Sequence, residues 1–234
     1  MQRIRNDFTV EVYEMHARIC LEFGDMVEFN QCNSQLAVLY EEGFGTKAAQ
    51  REFTAYSILY NVGKGAHNNV SDLMLGLQPD DYADASIALA LKVRAAMALG
   101  DYCTLFRLYG EAPTHAQHVM DTFTDRARLD AVKVLLKGYV PTVPLTFVAQ
   151  NLGFDGDAEA AEFLEDHGCV VPPPEQNSAV AGDLVESLLA TSRPRMVDTK
   201  ASKASFVEHS ISAKLEEQRK AAERKAEIVP ITFS

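Results

Sequence analysis

The chain opens on an amphipathic helix, a one-residue glycine break, an aspartate cap and a second helix, and this order leaves few folds open. The stretch Arg3-Ile-Arg-Asn-Asp-Phe-Thr-Val-Glu-Val-Tyr-Glu-Met-His-Ala-Arg18 closes on Glu22-Phe-Gly-Asp-Met-Val-Glu-Phe-Asn-Gln-Cys32. In it Phe8, Val12, Met15, Ile19 and Phe23 recur at steps of three and four and form one apolar face. Gly24 suits the left-handed residue that ends a helix, and Asp25 can accept the first amide hydrogens of the next. The device returns at Arg94-Ala-Ala-Met-Ala-Leu-Gly-Asp-Tyr102, where Gly100-Asp101 superposes on Gly24-Asp25 and Leu105 on Phe29. Two such hairpins imply a stacked helical scaffold that holds partners.

Helical patterns run roughly over 7–23, 25–41, 46–61, 67–76, 80–99, 101–109 and 114–138, with breaks at Gly43 to Gly45, Gly63 to Gly65, Pro79, Gly100 and Pro113. After Gly138 the character changes. Tyr139 to Pro144 reads as a short extended segment, Leu145 to Leu152 as a short helix, and Asp155 to Gly168 as a turn and a capped helix. Cys169-Val-Val171 is a short β run before Pro172-Pro-Pro174. Helix, strand, helix, turn, helix, strand is the order of a winged helix. Met196-Val-Asp-Thr-Lys200 supplies the second wing strand, which makes 172–194 an insertion in the wing. From about 204 onward the chain carries charge without an apolar face, a flexible charged tail or a solvated, partly formed helix over 204–234.

A chain of 234 residues buries about 70–75% of its unfolded surface, enough for its own core. It has no run of eighteen apolar residues, so no membrane span is predicted, and its charged N-terminus lacks the apolar stretch of a signal peptide. The four cysteines, at 20, 32, 103 and 169, make no zinc or redox spacing. Three sit in helix-like apolar patterns, which implies reduced, packed thiols in the nucleus or cytosol. The net charge of −11 is uneven: residues 191–234 carry nine Lys/Arg against six Asp/Glu, leaving −14 on residues 1–190. Any nucleic-acid contact is therefore local and predominantly C-terminal.

Ile4-Arg-Asn-Asp-Phe-Thr-Val-Glu-Val-Tyr13, Glu28-Phe-Asn-Gln-Cys32, Glu52-Phe-Thr-Ala-Tyr-Ser-Ile-Leu-Tyr60, Arg94 to Tyr102 and Phe106-Arg-Leu-Tyr109 resemble the GANP-type family of PCI-domain proteins. The likeness is closest to the branch of leukocyte receptor cluster member eight and its fungal transcription-elongation counterpart. It continues weakly through Phe163 to Gly168 and Val197 to Lys200, and covers about residues 3–205. Family members carry more chain before the first motif, on which this chain opens directly, so a truncated product or incomplete gene model is expected. The resemblance implies a mainly α fold, with a tetratricopeptide-like stack over 1–138 and a small winged-helix (PCI) domain over 139–203. It implies pairing with a second PCI protein, often beside a small acidic subunit of the proteasome-lid type. It also implies a nuclear, and in part cytoplasmic, role in transcription elongation, mRNA maturation or export.

Catalytic, metal and cofactor chemistry is not expected. His115 and His118 stand one turn apart with Asp121 beyond, but no cysteine or glutamate sits at companion spacing. Gly63-Lys-Gly65 lacks the flanking residues of a phosphate loop. His16, on the apolar face of the first helix, reads as a hydrogen-bonded core histidine. No nucleophile and base can be paired, so an enzyme is not expected.

Candidate nucleic-acid contacts are Arg126, Arg128, Lys133 and Lys137 on the helix entering the winged helix, with Arg193, Arg195, Lys200 and Lys203 in the wing. The would-be recognition helix carries Asp155, Asp157, Glu159, Glu162, Glu165 and Asp166, which repel phosphate. It is expected to face a protein. Candidate partner contacts are Phe147, Val148, Leu152, Phe154, Phe163 and Leu164, a dense apolar set for so small a unit, shared between core and interface. The alternative is a purely structural subunit of a proteasome-lid or initiation-factor-three type assembly without nucleic-acid binding. The two differ in whether the basic residues form one patch.

Overall fold

The computed structural model describes residues 5–172 and 195–227, and the chain divides into two compact units, Met1–Ala131 and Val132–Ser234. The segment read as a wing insertion lies, from 173 onward, outside the described residues. So does Arg193.

The first unit is helical throughout its described residues. It holds α1 (Asp7–Glu22), α2 (Met26–Glu41), α3 (Lys47–Lys64), α4 (His67–Leu75), a 3₁₀ turn at Pro79–Ala83, α5 (Ala85–Leu99) and α6 (Tyr102–Glu111). The division between units falls within α7 (Thr114–Gly138). Helix starts are fixed by side-chain oxygens. Asn6 accepts from Thr9 N at 2.9 Å, Thr46 from Ala49 N at 3.2 Å and Asp84 from Ser86 N at 2.9 Å.

The hairpin device is present three times. Gly24, Gly65 and Gly100 take φ of 72°, 69° and 67°, where an L side chain is strained. At each, the residue after the glycine bonds back to a carbonyl five positions earlier: Asp25 N to Cys20 O at 2.9 Å, Ala66 N to Asn61 O at 3.0 Å, and Asp101 N to Ala96 O at 2.9 Å. Asp25 then caps Val27 N and Glu28 N, and Asp101 caps Thr104 N. Ala66 has no side chain with which to cap. Phe29 and Leu105, at matching positions, are both buried. The helices pack in sequence: α1 on α2, α2 on α3, α3 on α4 and α5, and α5 on α6. Leu21, Phe29, Leu36, Phe53, Ile58 and Leu59 are among the largest fully buried side chains. Gly63 lets α3 approach α7 so closely that a Cβ there would run into the Phe123 ring.

The apolar face read along α1 exists but is not the face that the helix buries. Phe8, Met15 and Phe23 are 70%, 64% and 84% exposed, and Val12 and Ile19 are also exposed. The buried residues are Val10, Ala17, Cys20 and Leu21 on the opposite side. Small Ala17 and Cys20 admit α2 closely, and the bulkier stripe is turned outward. His16 is correspondingly exposed rather than a core histidine.

The second unit contains the strands. β1 (Thr142–Pro144) pairs antiparallel with β2 (Met196–Asp198), Val143 opposite Val197. Val170 bridges Asp198, and Asp198 N donates to Val170 O at 3.1 Å. Between these lie α8 (Leu145–Asn151) and α9 (Asp157–Asp166), and α10 (Thr199–Glu227) follows β2. Val143, Leu145, Leu152, Ala160, Leu164 and Val197 form its core. Two buried hydroxyls are satisfied at the start of α10. Thr199 Oγ1 donates to Pro141 O at 2.6 Å, and Ser202 Oγ accepts from Val170 N at 2.7 Å. The boundary read at 203/204 falls inside α10, and Phe206, only 4% exposed, belongs to the core. The expected tail therefore begins as a packed helix.

Candidate partner and nucleic-acid surfaces

On α7, Arg126, Lys133 and Lys137 are exposed, while Arg128 is half-buried with its guanidinium 5.8 Å from the Phe106 ring centre and 3.7 Å from Asp125. Lys200 and Lys203, three residues apart at the start of α10, are exposed. Arg195 is half-buried and donates from Nε and Nη2 to the Pro172 carbonyl at 3.3 and 3.0 Å. Of the candidate cations, Arg128 and Arg195 are therefore held by the protein itself, and Lys133 too is engaged within it. On α9, Glu159, Glu162, Glu165 and Asp166 are exposed, as is Asp155 just before it, and Asp157 is half-buried. Glu159 Oε2 also accepts from Asp155 N at 2.7 Å, fixing the turn ahead of the helix. The exposed face of α9 is thus acidic.

Of the six apolar candidates, Val148, Leu152, Phe154 and Leu164 are buried in the unit's own core. Phe147 and Phe163 remain half-buried. Phe147 lies 5.4 Å from the Tyr139 ring, and Phe163 packs between Phe154 at 5.3 Å and His167 at 4.4 Å. Core demand accounts for the four: Val148 lies on α8, Leu152 and Phe154 in the turn between α8 and α9, and Leu164 on α9, and all are buried. The exposed large apolar residues among the unit's described residues are others: Val134, Tyr139, Val140, Val170, Val207 and Ile211. Val207 and Ile211 share one face of α10. Their sequence signal is a pair of apolar residues one turn apart in an otherwise charged run.

The first unit holds two side-chain clusters that sequence order alone does not reveal. Arg18 Nε and Nη2 fork onto Glu52 at 3.2 and 2.7 Å, and the guanidinium sits 5.2 Å from the Phe53 ring centre. Tyr56 OH donates to the same carboxylate at 2.8 Å, and Tyr40 OH to Glu14 at 2.9 Å. Burial pushes the Glu52 carboxyl up, but the hydrogen bonds from Arg18 and Tyr56 outweigh it and hold it below the usual range.

In the second cluster, donor atoms of His16, Cys20 and Cys32 lie within 4.8 Å of one another, with Cys32 Sγ 3.3 Å from His16 Nδ1. Three such donors could hold a soft cation. Burial instead pushes the Cys32 thiol up to about 11, with Cys20 and Glu28 adding to it, so the arrangement favours neutral thiols. His115 and His118 do not converge: the first lies 3.4 Å from Glu22 and the second 3.5 Å from Asp121. A groove of about 770 Å³ is lined by residues of α2, α3 and α4, among them Asn30, Asn33, Ser57, Tyr60, Asn61 and Leu73.

Residues 21–172, from the first hairpin through the α8–α9 pair, match the model of the SAC3/GANP family. The chain belongs to the SAC3/GANP family. Its relatives include the THP3 homolog of Schizosaccharomyces pombe, 39% identical over 76% of this chain and 44% of that protein. The leukocyte receptor cluster member 8 homolog of Xenopus laevis is 42% identical over 70% of this chain and 20% of its own length. Protein THP3 of Saccharomyces cerevisiae is 29% identical over 71% and 36%. This SAC3/GANP chain thus spans less than half the length of each of these relatives.

Proposed function

We propose that this chain is a non-enzymatic PCI scaffold subunit that pairs with a second PCI protein in nuclear transcription elongation, mRNA maturation or export. The reading rests on one observation: in a SAC3/GANP member, a run of glycine-closed helical hairpins is followed by strand, helix, turn, helix, bridge, strand. With β2 between β1 and Val170, that order has the strand arrangement of a winged helix. The THP3 relatives support placing it among transcription and mRNA-export assemblies. Acidic α9 turns toward protein, since its carboxylates would meet phosphate with like charge. Nucleic acid, if it touches the chain, is met weakly by Arg126, Lys137, Lys200 and Lys203. A small acidic proteasome-lid-type subunit is a further partner of the same assembly.

Affinity capture of the tagged chain from nuclear extract tests this reading. A PCI-domain protein is expected by mass spectrometry, and its recovery is expected to drop with Val207→Asp plus Ile211→Asp, two exposed changes that spare the core. Recovery of no PCI-domain protein defeats the proposal. The engagement of Arg128 and Arg195 inside the protein favours a second reading, an assembly subunit of the proteasome-lid or initiation-factor-three type without nucleic-acid contact.

A further inference from the structure

We infer that His16, Cys20 and Cys32 form a zinc(II) site that clasps α1 to α2 across the first hairpin. Spacing along the chain hides it, since three residues separate His16 from Cys20 and eleven separate Cys20 from Cys32. One helical turn brings the first two to the same side of α1. The Gly24–Asp25 turn then folds α2 back so that Cys32 meets them. Cys32 Sγ lies 3.3 Å from His16 Nδ1, and donor atoms of all three fall within 4.8 Å of one another. A tetrahedral zinc with bonds of about 2.0 Å to nitrogen and about 2.3 Å to sulfur holds such a pair about 3.6 Å apart and two sulfurs about 3.8 Å apart. The donors already stand near that spacing.

The surroundings select the charge of the cation. Cys20 and Cys32 are only 5% and 2% exposed, and buried charges persist when they are paired. Zinc(II) with two thiolates and a neutral imidazole is neutral as a whole. Copper(I) on the same donors leaves a net negative charge in the same buried place. Asp25 and Glu28 add a negative field at Cys20. That field resists bare thiolates, which is one reason the metal-free thiols are neutral, but it attracts a dication. On ligation the metal takes the place of the thiol protons. His16, on the exposed side, gives the metal a way in, and three protein donors leave the fourth tetrahedral position to water. The site lies within the first unit, apart from the partner surface proposed in the second.

The test uses the untagged full chain, stripped with a chelator and kept reduced. Titration with cobalt(II), a spectroscopic substitute for zinc, is expected to give a thiolate-to-metal charge-transfer band and intense tetrahedral d–d bands that saturate at one equivalent. Added zinc(II) is expected to bleach them, and zinc alone to raise the melting temperature of the parent. His16→Ala is expected to weaken cobalt binding about tenfold or more, and Cys32→Ser to remove most of the charge-transfer band. His16→Ala changes an exposed side chain, so it keeps the test decisive if Cys32→Ser does not fold. Cys103→Ser, at the exposed thiol, is expected to change neither band nor melt. No charge-transfer band at one equivalent overturns the inference. So does a band that survives His16→Ala undiminished, or one that is lost with Cys103→Ser.

Discussion

Arg18 does three jobs with one guanidinium: it forks onto Glu52, covers Phe53 and lies 3.7 Å from Glu14. Arg18→Ala is expected to cost about 1–3 kcal/mol, because a half-buried carboxylate loses its charged donor. The pH dependence follows from the same contact. Glu52 titrates lower folded than unfolded, so its contribution is complete above the unfolded value near 4.5 and fades as pH falls through the lower folded one. Thermal melts of the parent between pH 6 and 3 should show this loss, and Arg18→Ala should show less of it. The thiols act at the other end of the scale. Burial raises Cys32 to about 11 and Cys169 to about 12, so stability declines as pH rises from about 9 toward those values. At pH 8, iodoacetamide is expected to label exposed Cys103 in the native protein, and Cys20, Cys32 and Cys169 only after unfolding.

At the scale of the element, two kinds of glycine can be told apart. Gly24 has open space around it but a φ of 72°, so Gly24→Ala should cost about 1 kcal/mol through backbone strain alone. Gly63 is helical, but its Cβ would meet Phe123, so Gly63→Ala should cost about 1–3 kcal/mol through overpacking. Denaturant melts of both variants, and of each combined with Phe123→Leu, separate the causes: only the Gly63 variant is rescued. The Gly-Asp hairpins were legible because each carries its stop and start signals side by side. The third was not, since Gly65 is followed by Ala66, which cannot cap. The stripe on α1 was legible as a face but not as an exposed one. Periodicity reports which residues share a side, and only packing decides which side is turned inward. Likewise Phe154 and Leu164 read as apolar, whereas their use by the core depends on the packing of α8 on α9, which no local pattern encodes.

For the whole molecule, charge distribution sets the expectation for nucleic acid. Residues 1–190 carry −14, so binding must come from a few local cations and must fade with salt. With four or five phosphate contacts on a single strand, log K should fall by about 0.7 per contact for each decade of salt. In mobility-shift titrations at two salt concentrations, Lys137→Glu with Lys200→Glu is expected to weaken binding. Glu159→Lys with Glu162→Lys is expected not to weaken it. The central claim, a scaffold that pairs through its second unit, is tested most directly by lysine cross-linking of the captured complex with mass spectrometry. The predicted result is cross-links from a PCI-domain partner to Lys137, Lys200 and Lys203. Cross-links from that partner confined to lysines of the first unit, such as Lys47 and Lys92, would contradict it.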